Sequence, residues 1–308
     1  VKEFDFINWI RSQSSFDAAK VPVGPGDDMA VVIPGGEQLL VTVDQVLDGV
    51  HISLAEHGPR AAGRKAMLRN LSDVAAMAAL PVAAVASVAL PKGFPEADAQ
   101  AIYRGLRELG DRFNCPIVGG DVSTWGHPLA ISVTVFAKPA GATGGVKPVL
   151  RSGARAGNVI CVTGELGGAW LSGRHLTALP RVQEAALLAL RYRIRAMIDI
   201  SDGLAADLGR LCEASRCGAE LDAEAIPVAP NAAAGRDIDP LTAALHDGED
   251  YELVFALPPA QARHLCQDAG AAVRVTRIGR CVKTPGLTLL DADGNNQPLQ
   301  PRGWEHET

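Results

Sequence analysis

Seven aspartates stand at what read as the ends of strands and helices: Asp27 and Asp28 in Gly24-Pro25-Gly26-Asp27-Asp28, Asp44, Asp73, Asp121, and Asp199 with Asp202 in Asp199-Ile200-Ser201-Asp202-Gly203. Scattered carboxylates without Cys/His ligand pairs suit a hard, oxygen-preferring cation such as Mg²⁺, and Mg²⁺ commonly accompanies phosphate. Adjacent Asp27 and Asp28 repel one another, and a cation beside them relieves the cost of confining both in a glycine-permitted loop. Thr42 and Asp44 share one face of a strand by alternation, with Val43 on the other. In Asn70-Leu71-Ser72-Asp73, polar residues interrupt an apolar helix, where each needs a partner. Gly119-Gly120-Asp121 offers backbone N–H groups to an anion, with a carboxylate alongside for its metal. Each motif alone also has a plainer reading. These are a solvated loop for the Asp pair and for His246-Asp247-Gly248-Glu249-Asp250-Tyr251-Glu252, a helix-to-loop hydrogen bond for Asp73, a surface turn for Gly119–Asp121, and a helix cap for Ser201.

Absent motifs narrow the chemistry. The chain holds no GxxxxGK[ST] loop, no GxGxxG opening a helix, no protein-kinase signature run and no GxSxG elbow. Gly164-Glu165-Leu166-Gly167-Gly168 matches a glycine-rich loop only loosely, and the histidines are isolated. Nucleophilic catalysis has no candidate, so phosphate chemistry here would rest on metal positioning.

The 308 residues suggest two domains, and an apolar content of 47% supplies ample core. A net charge of -6 without Lys/Arg runs argues against nucleic acid as a partner. Cys115, Cys161, Cys212, Cys217, Cys266 and Cys281 lie singly in apolar segments and read as small core residues of a reduced compartment. No apolar stretch reaches the roughly 20 residues that span a bilayer. A cytoplasmic protein without membrane partners is the expectation.

The elements that must position the aspartates follow from periodicity. Expected in the first half are helix Phe4–Gln13, a loop over 20–33, strand Leu39–Val43 stopping at Asp44, and helix Arg60–Ala79. Strand Val82–Leu90, helix Pro95–Phe113, strand Pro116–Val118 ending in the glycine pair, and strand Leu129–Ala137 complete it. Residues 138–149, rich in Gly, Pro and Ala, mark a domain boundary. Strand Val159–Val162, helix Arg181–Ile194, strand Met197–Ile200 and helix Ser201–Ser215 follow. Strand Tyr251–Ala256, helix Pro259–Ala269, strand Val273–Ile278 and a hairpin at Asp293-Gly294 end the reading. Without strict βαβ alternation the class is α+β, with domains at 1–140 and 146–308.

Taken in order, the motifs resemble the thiamine-monophosphate kinase family. They are Gly26-Asp27-Asp28, Val43-Asp44, Leu47-Asp48-Gly49-Val50-His51, Asn70 to Met77, Gly119-Gly120-Asp121, Arg151-Ser152-Gly153-Ala154, Ile198 to Leu204, and Gly248 to Leu253. The resemblance runs from the Phe4 region to Trp304. It extends to the superfamily of aminoimidazole-ribonucleotide synthetase, selenophosphate synthetase and a hydrogenase-maturation dehydratase. It implies an N-terminal α/β domain (1–140) that binds ATP and Mg²⁺ and forms a dimer-spanning β-barrel, and a C-terminal α+β domain (146–308) that completes the cleft. The implied reaction moves the ATP γ-phosphoryl group to thiamine monophosphate, giving thiamine diphosphate and ADP.

Residue by residue, the resemblance gives Asp27, Thr42, Asp44, Asp73, Asp121, Asp199 and Asp202 as metal ligands, with Asp28 left outside that set. It gives Tyr103, Gly120, Asp121, Arg151 and Ser201 as ATP contacts, and His51, Glu249 and Trp304 as thiamine contacts. No residue is assigned to catalysis beyond placing metal and phosphates, and a homodimer is implied. The chain departs from the pattern at Val43, where a hydroxyl residue is usual, at Gly168 with a shortened 168–180 segment, and at Asn158. Two other readings stay open at this stage: another ATP-dependent enzyme of the superfamily, and a nucleotide-binding relative that performs no transfer.

Overall fold

A computed structural model of the chain describes residues 12, 17–24, 26–141, 145–268 and 273–304. The helix expected over Phe4–Gln13 lies, apart from Ser12, outside the described residues. Two mixed sheets organise the rest.

The first sheet has the order β1-β2-β5-β3-β4, formed by β1 (Ala30–Val32), β2 (Leu39–Leu47), β3 (Ala79–Pro91), β4 (Ile117–Trp125) and β5 (Ala130–Pro139). Strand β5 alternates: Ile131, Val133, Val135 and Ala137 are buried while their neighbours are half-buried, as a sheet covered on one face requires. The cover is helix α1 (Leu54–Ala76), backed by α2 (Glu96–Arg112). These helices approach closely because Gly63 and Gly105 carry no side chain. A Cβ on Gly63 would lie 2.0 Å from the Ile102 carbonyl oxygen, and one on Gly105 equally close to that of Arg60.

The second sheet has the order β12-β11-β8-β10-β6-β9-β7. It comprises β6 (Val159–Thr163), β7 (Ala196–Ile200), β8 (Gly218–Asp222), β9 (Glu252–Leu257), β10 (Val275–Val282), β11 (Gly286–Leu290) and β12 (Asn296–Leu299). β6, β7 and β9 are buried throughout, so alternation shares their side chains between two cores. Cys161, Met197 and Phe255 join α1 and the first sheet in one core. Ile160, Ile198 and Val254 meet helix α5 (Leu204–Ser215) in the other. The remaining helices are α3 (Arg174–Thr177), α4 (Val182–Arg191), α6 (Pro240–His246) and α7 (Pro259–Gln267), with a 3₁₀ turn at Ala223–Ala225. The architecture is the expected α+β pair of units, and no described helix is long and apolar enough to cross a membrane.

Several expected boundaries shift, each for a visible reason. Strand β2 does not stop at Asp44 but runs to Leu47, because its pairing with β5 continues through Asp44↔Val133 to Leu47↔Ala130. Strand β4 does not end at the glycine pair; it passes through it in parallel pairing with β3. Gly120 belongs inside that strand since a Cβ there would lie 1.9 Å from the Ala86 carbonyl oxygen. Helix α1 opens earlier, at Leu54, whose N–H donates to Asp48 Oδ1 (2.8 Å), and it kinks at Gly58 ahead of Pro59. It ends at Ala76, and β3 takes up Ala79. Helix α4 is shorter than expected, and α5 begins at Leu204 rather than Ser201. Ser201 is therefore not its cap. The Asp207 carboxylate in the first turn accepts from the N–H groups of Ser201 (3.1 Å) and Asp202 (3.0 Å) instead. β1, β8 and α6 gave no periodic signal, being short. Five of the cysteines are buried, as expected of core residues, and Cys266 is exposed.

Candidate functional site

The acidic residues converge on a cavity of about 1750 Å³ between the two sheets. The loop before β1 supplies Asp27 and Asp28, β2 supplies Thr42 and Asp44, the last turn of α1 supplies Asp73, and the end of β7 supplies Asp199. Alternation along β2 works as expected: Thr42 is buried beside Asp73 while Val43, 60% exposed, faces outward. Carboxylate oxygens of Asp28, Asp73 and Asp199 lie within 4.8 Å of one another. Asp28 thus stands inside the acidic cluster.

The local hydrogen bonds orient these groups without neutralising them all. Thr42 Oγ1 donates to Asp73 Oδ2 at 2.5 Å, and Ser72 Oγ donates to Asp199 Oδ2 at 2.6 Å. Arg151 uses its backbone N–H on Asp27 (3.0 Å) and its guanidinium on both oxygens of Asp28 (3.1 and 2.9 Å). Burial, then the neighbouring Asp28 charge, raises the Asp27 carboxyl to about 6. Burial and Asp28 raise Asp199 to about 7. Asp73 is held well above the usual carboxylate range by burial and by the charges of Asp44, Asp199 and Asp28. Confined carboxylates that resist ionisation in this way are ones a divalent cation would stabilise. The donor set, oxygens alone, fits Mg²⁺.

Asp202 sits at the cavity edge, where Arg210 pairs with both Asp202 (2.6 Å) and the buried Asp207 (2.5 Å). Ser201 lines the same wall. Tyr103, Gly120 and Asp121 are exposed and are not among the lining residues. Asp121 pairs in register with Ser87, which pairs with Ser132, which pairs with Gln45. That row places it about 14 Å, three strand spacings, from β2.

A second group of residues adjoins the acidic cluster. His51 and Trp304 approach with ring centroids 5.7 Å apart. The Leu47 N–H donates to His51 Nδ1 (3.1 Å), so Nε2 carries the proton of the neutral ring. Glu249 is held in a left-handed conformation (φ 72°), as is Tyr251 (φ 53°), and side chains other than glycine rarely adopt it. This turn is fixed by Glu249 N–H to Ser201 O (2.7 Å) and Tyr251 N–H to Ile200 O (2.9 Å). The Trp304 backbone N–H donates to Asp202 O (3.0 Å), tying Trp304 to the loop that carries Asp202.

Sequence reasoning missed the cations that organise this group. Lys65, fully buried, pairs with Glu249, donates to the His51 carbonyl oxygen and lies 4.7 Å from the Trp170 ring centroid. Burial lowers its ammonium to about 8 against the opposing pull of Glu249. Trp170 stacks on buried His175 at 4.5 Å. Arg69, one helical turn after Lys65, binds Asp44. A signal existed in Lys65 and Arg69 themselves, two charges spaced i, i+4 inside an apolar helix. The altered 168–180 segment is well anchored: Gly167 N–H donates to Asp250 (2.9 Å), Gly168 N–H to Asp247 (3.0 Å), and Arg174 pairs with Asp250 (2.7 Å).

Comparison with known proteins agrees with this geometry. Residues 26–138 match the family model for the AIR synthase related protein N-terminal domain, and residues 155–292 match that for the C-terminal domain. The chain is 39% identical to a thiamine-monophosphate kinase of Rhodopirellula baltica, over 99% of this chain and 97% of that protein. It superposes on AaThiL complexed with AMPPCP and TMP with a TM-score of 0.82 at 28% identity, covering 99% and 97% of the two chains. The thiamine monophosphate kinase structure from Aquifex aeolicus gives a TM-score of 0.76 at 27% identity, covering 95% and 97%. The chain belongs to the thiamine-monophosphate kinase family.

Proposed function

We propose that this protein transfers the γ-phosphoryl group of ATP to the phosphate of thiamine monophosphate, forming thiamine diphosphate and ADP. The observation that carries the reading is the carboxylate cluster of Asp28, Asp73 and Asp199 in a cavity that Trp304 also lines, with His51 beside Trp304 and with Arg69 linking Asp44 to Glu249. The acceptor is an ionised phosphate oxygen, so no general base is needed and the cluster's lack of histidine is no handicap. The task is to align two polyanions and cancel their repulsion.

In this reading Mg²⁺ is held by Asp27, Thr42, Asp44, Asp73, Asp121, Asp199 and Asp202, and Asp28 joins them by position. Bound Mg²⁺ supplies charge that neutralises the transferring phosphoryl oxygens. Arg151 and Ser201 face the nucleotide phosphates. Glu249 places a carboxylate against the cationic thiazolium, and Trp304 lays a ring on it. Residues 1–140 and 146–308 act as two domains whose apposition forms the cleft.

Tyr103, Gly120 and Asp121 take part through a homodimer. Val43, Val82, Val118 and Val122 are exposed apolar residues of the first sheet, and β4 is its edge. A second copy covers this surface and brings β4 to the nucleotide. The protein works in the cytoplasm, where ATP and Mg²⁺ are plentiful.

The test is direct. Purified protein with ATP, Mg²⁺ and thiamine monophosphate should form thiamine diphosphate, and a variant carrying Asp44→Asn and Asp121→Asn should not. Product no greater than that of the double variant sinks the reading. Light scattering on Val122→Glu tests the dimer, which this charge should split with loss of activity.

A further inference from the structure

Arg69 bridges Asp44 in the acidic cluster and Glu249 beside it. Its Nε and Nη2 donate to the two oxygens of Asp44 at 3.2 Å each, and Nη1 lies 3.6 Å from Glu249 Oε1. It therefore stands between the acidic cluster and the thiamine side, and it lines the cavity. The bonds to Asp44 leave further N–H donors of the guanidinium uncommitted.

A second observation falls at the same place. The Tyr251 side chain is buried, and its hydroxyl has no hydrogen-bond partner among the described residues. The charged groups acting on it are Glu249, Arg69, Asp44 and Asp199. A buried hydroxyl without a partner costs free energy unless a ligand completes it.

An acceptor whose cationic ring lies at Glu249 and Trp304, and whose phosphate reaches the acidic cluster, must cross this point. The carboxylates of Asp44, Asp199 and Glu249 surround this point, and a phosphate needs donors to settle there. A guanidinium fork and a phenolic hydroxyl are suitable donors for phosphate oxygens.

We propose that Arg69 and the Tyr251 hydroxyl form the subsite for the acceptor's phosphate, making the site select the phosphorylated acceptor over the unphosphorylated one. This rests on the kinase reading above. It assigns Arg69 a substrate contact in addition to its bonds with Asp44 and Glu249.

The experiment is calorimetry in Mg²⁺ buffer without nucleotide, comparing thiamine monophosphate with thiamine. Arg69→Ala should weaken thiamine monophosphate binding about 10- to 100-fold, the loss of a charge-assisted hydrogen bond, and leave thiamine binding unchanged. Equal loss for both ligands would mean that Arg69 merely holds Glu249, and the proposal falls. It falls also if neither ligand is affected, or if only a non-hydrolysable ATP analogue loses affinity. Native protein that binds neither thiamine compound refutes the kinase reading instead. Should Arg69→Ala fail to fold, Arg69→Lys and Tyr251→Phe carry the same test. Each should show a smaller loss confined to thiamine monophosphate, and an equal loss for thiamine overturns the assignment.

Discussion

Two neighbouring regions of the site differ in how completely their carboxylates are paired with cations. In the acidic cluster Asp73 and Asp199 are oriented by hydroxyls, Thr42 and Ser72, and among the described residues no cationic side chain donates to them. In the Glu249–Glu252 segment each carboxylate has a cation: Lys65 on Glu249, Arg174 on Asp250, Arg181 on Glu252. One region is incomplete until a ligand arrives; the other is assembled in advance. In the proposed reading the difference separates residues that would hold a metal from residues that hold a shape.

The strongest attempt to break this contrast replaces Asp73 with Asn. Turnover should fall at least about 100-fold, the scale expected when transition-state charge loses its stabilisation. The metal-free variant should melt no lower than the native protein, since a buried carboxyl crowded by Asp44, Asp199 and Asp28 is replaced by a neutral amide. Mg²⁺ should no longer raise its melting temperature. A clear drop in metal-free stability would show that the acidic cluster is structural.

Lys65→Met probes the paired region and should act in the opposite direction. Removing one partner of a buried pair leaves Glu249 with only Arg69, 3.6 Å away, and costs about 3 kcal/mol, read by urea unfolding. Unchanged stability would erase the distinction between the two regions.

These two regions were unequally legible beforehand. The aspartates could be found because adjacent or strand-end carboxylates are conspicuous in an apolar sequence, and α+β class followed from the order of periodic segments. Asp28 could not be separated from a solvated turn, since its place in the cluster depends on Arg151, far away in the chain. Strand β4 was misjudged because glycines read as breakers, whereas Gly120 serves close strand contact. The i, i+4 spacing of Lys65 and Arg69 in an apolar helix marks them as unusual, but their roles, like that of Arg174, depend on partners on other elements, which no local pattern records.

Trp304→Ala tests the thiamine side more gently. Affinity for thiamine monophosphate and for thiamine should fall together by about 3- to 30-fold, the range of a cation–π contact. A loss for only the phosphorylated ligand would move Trp304 from the ring to the phosphate.

The smallest effect concerns pH. Burial, with Lys65 nearby, lowers the His175 imidazole from 6.5 to about 4. Between those values the unfolded chain binds more protons than the folded one, so stability falls as pH drops from 6.5 toward 4. His175→Asn should flatten the melting profile over that window relative to the native protein. Parallel profiles would show that His175 is solvated and not part of the assembled region.

The bond from the Trp304 amide to the Asp202 carbonyl bears on how the site comes into being. Synthesis proceeds from the N-terminus, so Trp304 emerges after every element it touches. A nascent chain can bury α1 and shape the first sheet long before the second sheet delivers Asp199. The wall around Trp304 closes later still, so in the proposed reading the capacity to accept a substrate appears as one of the last events of maturation.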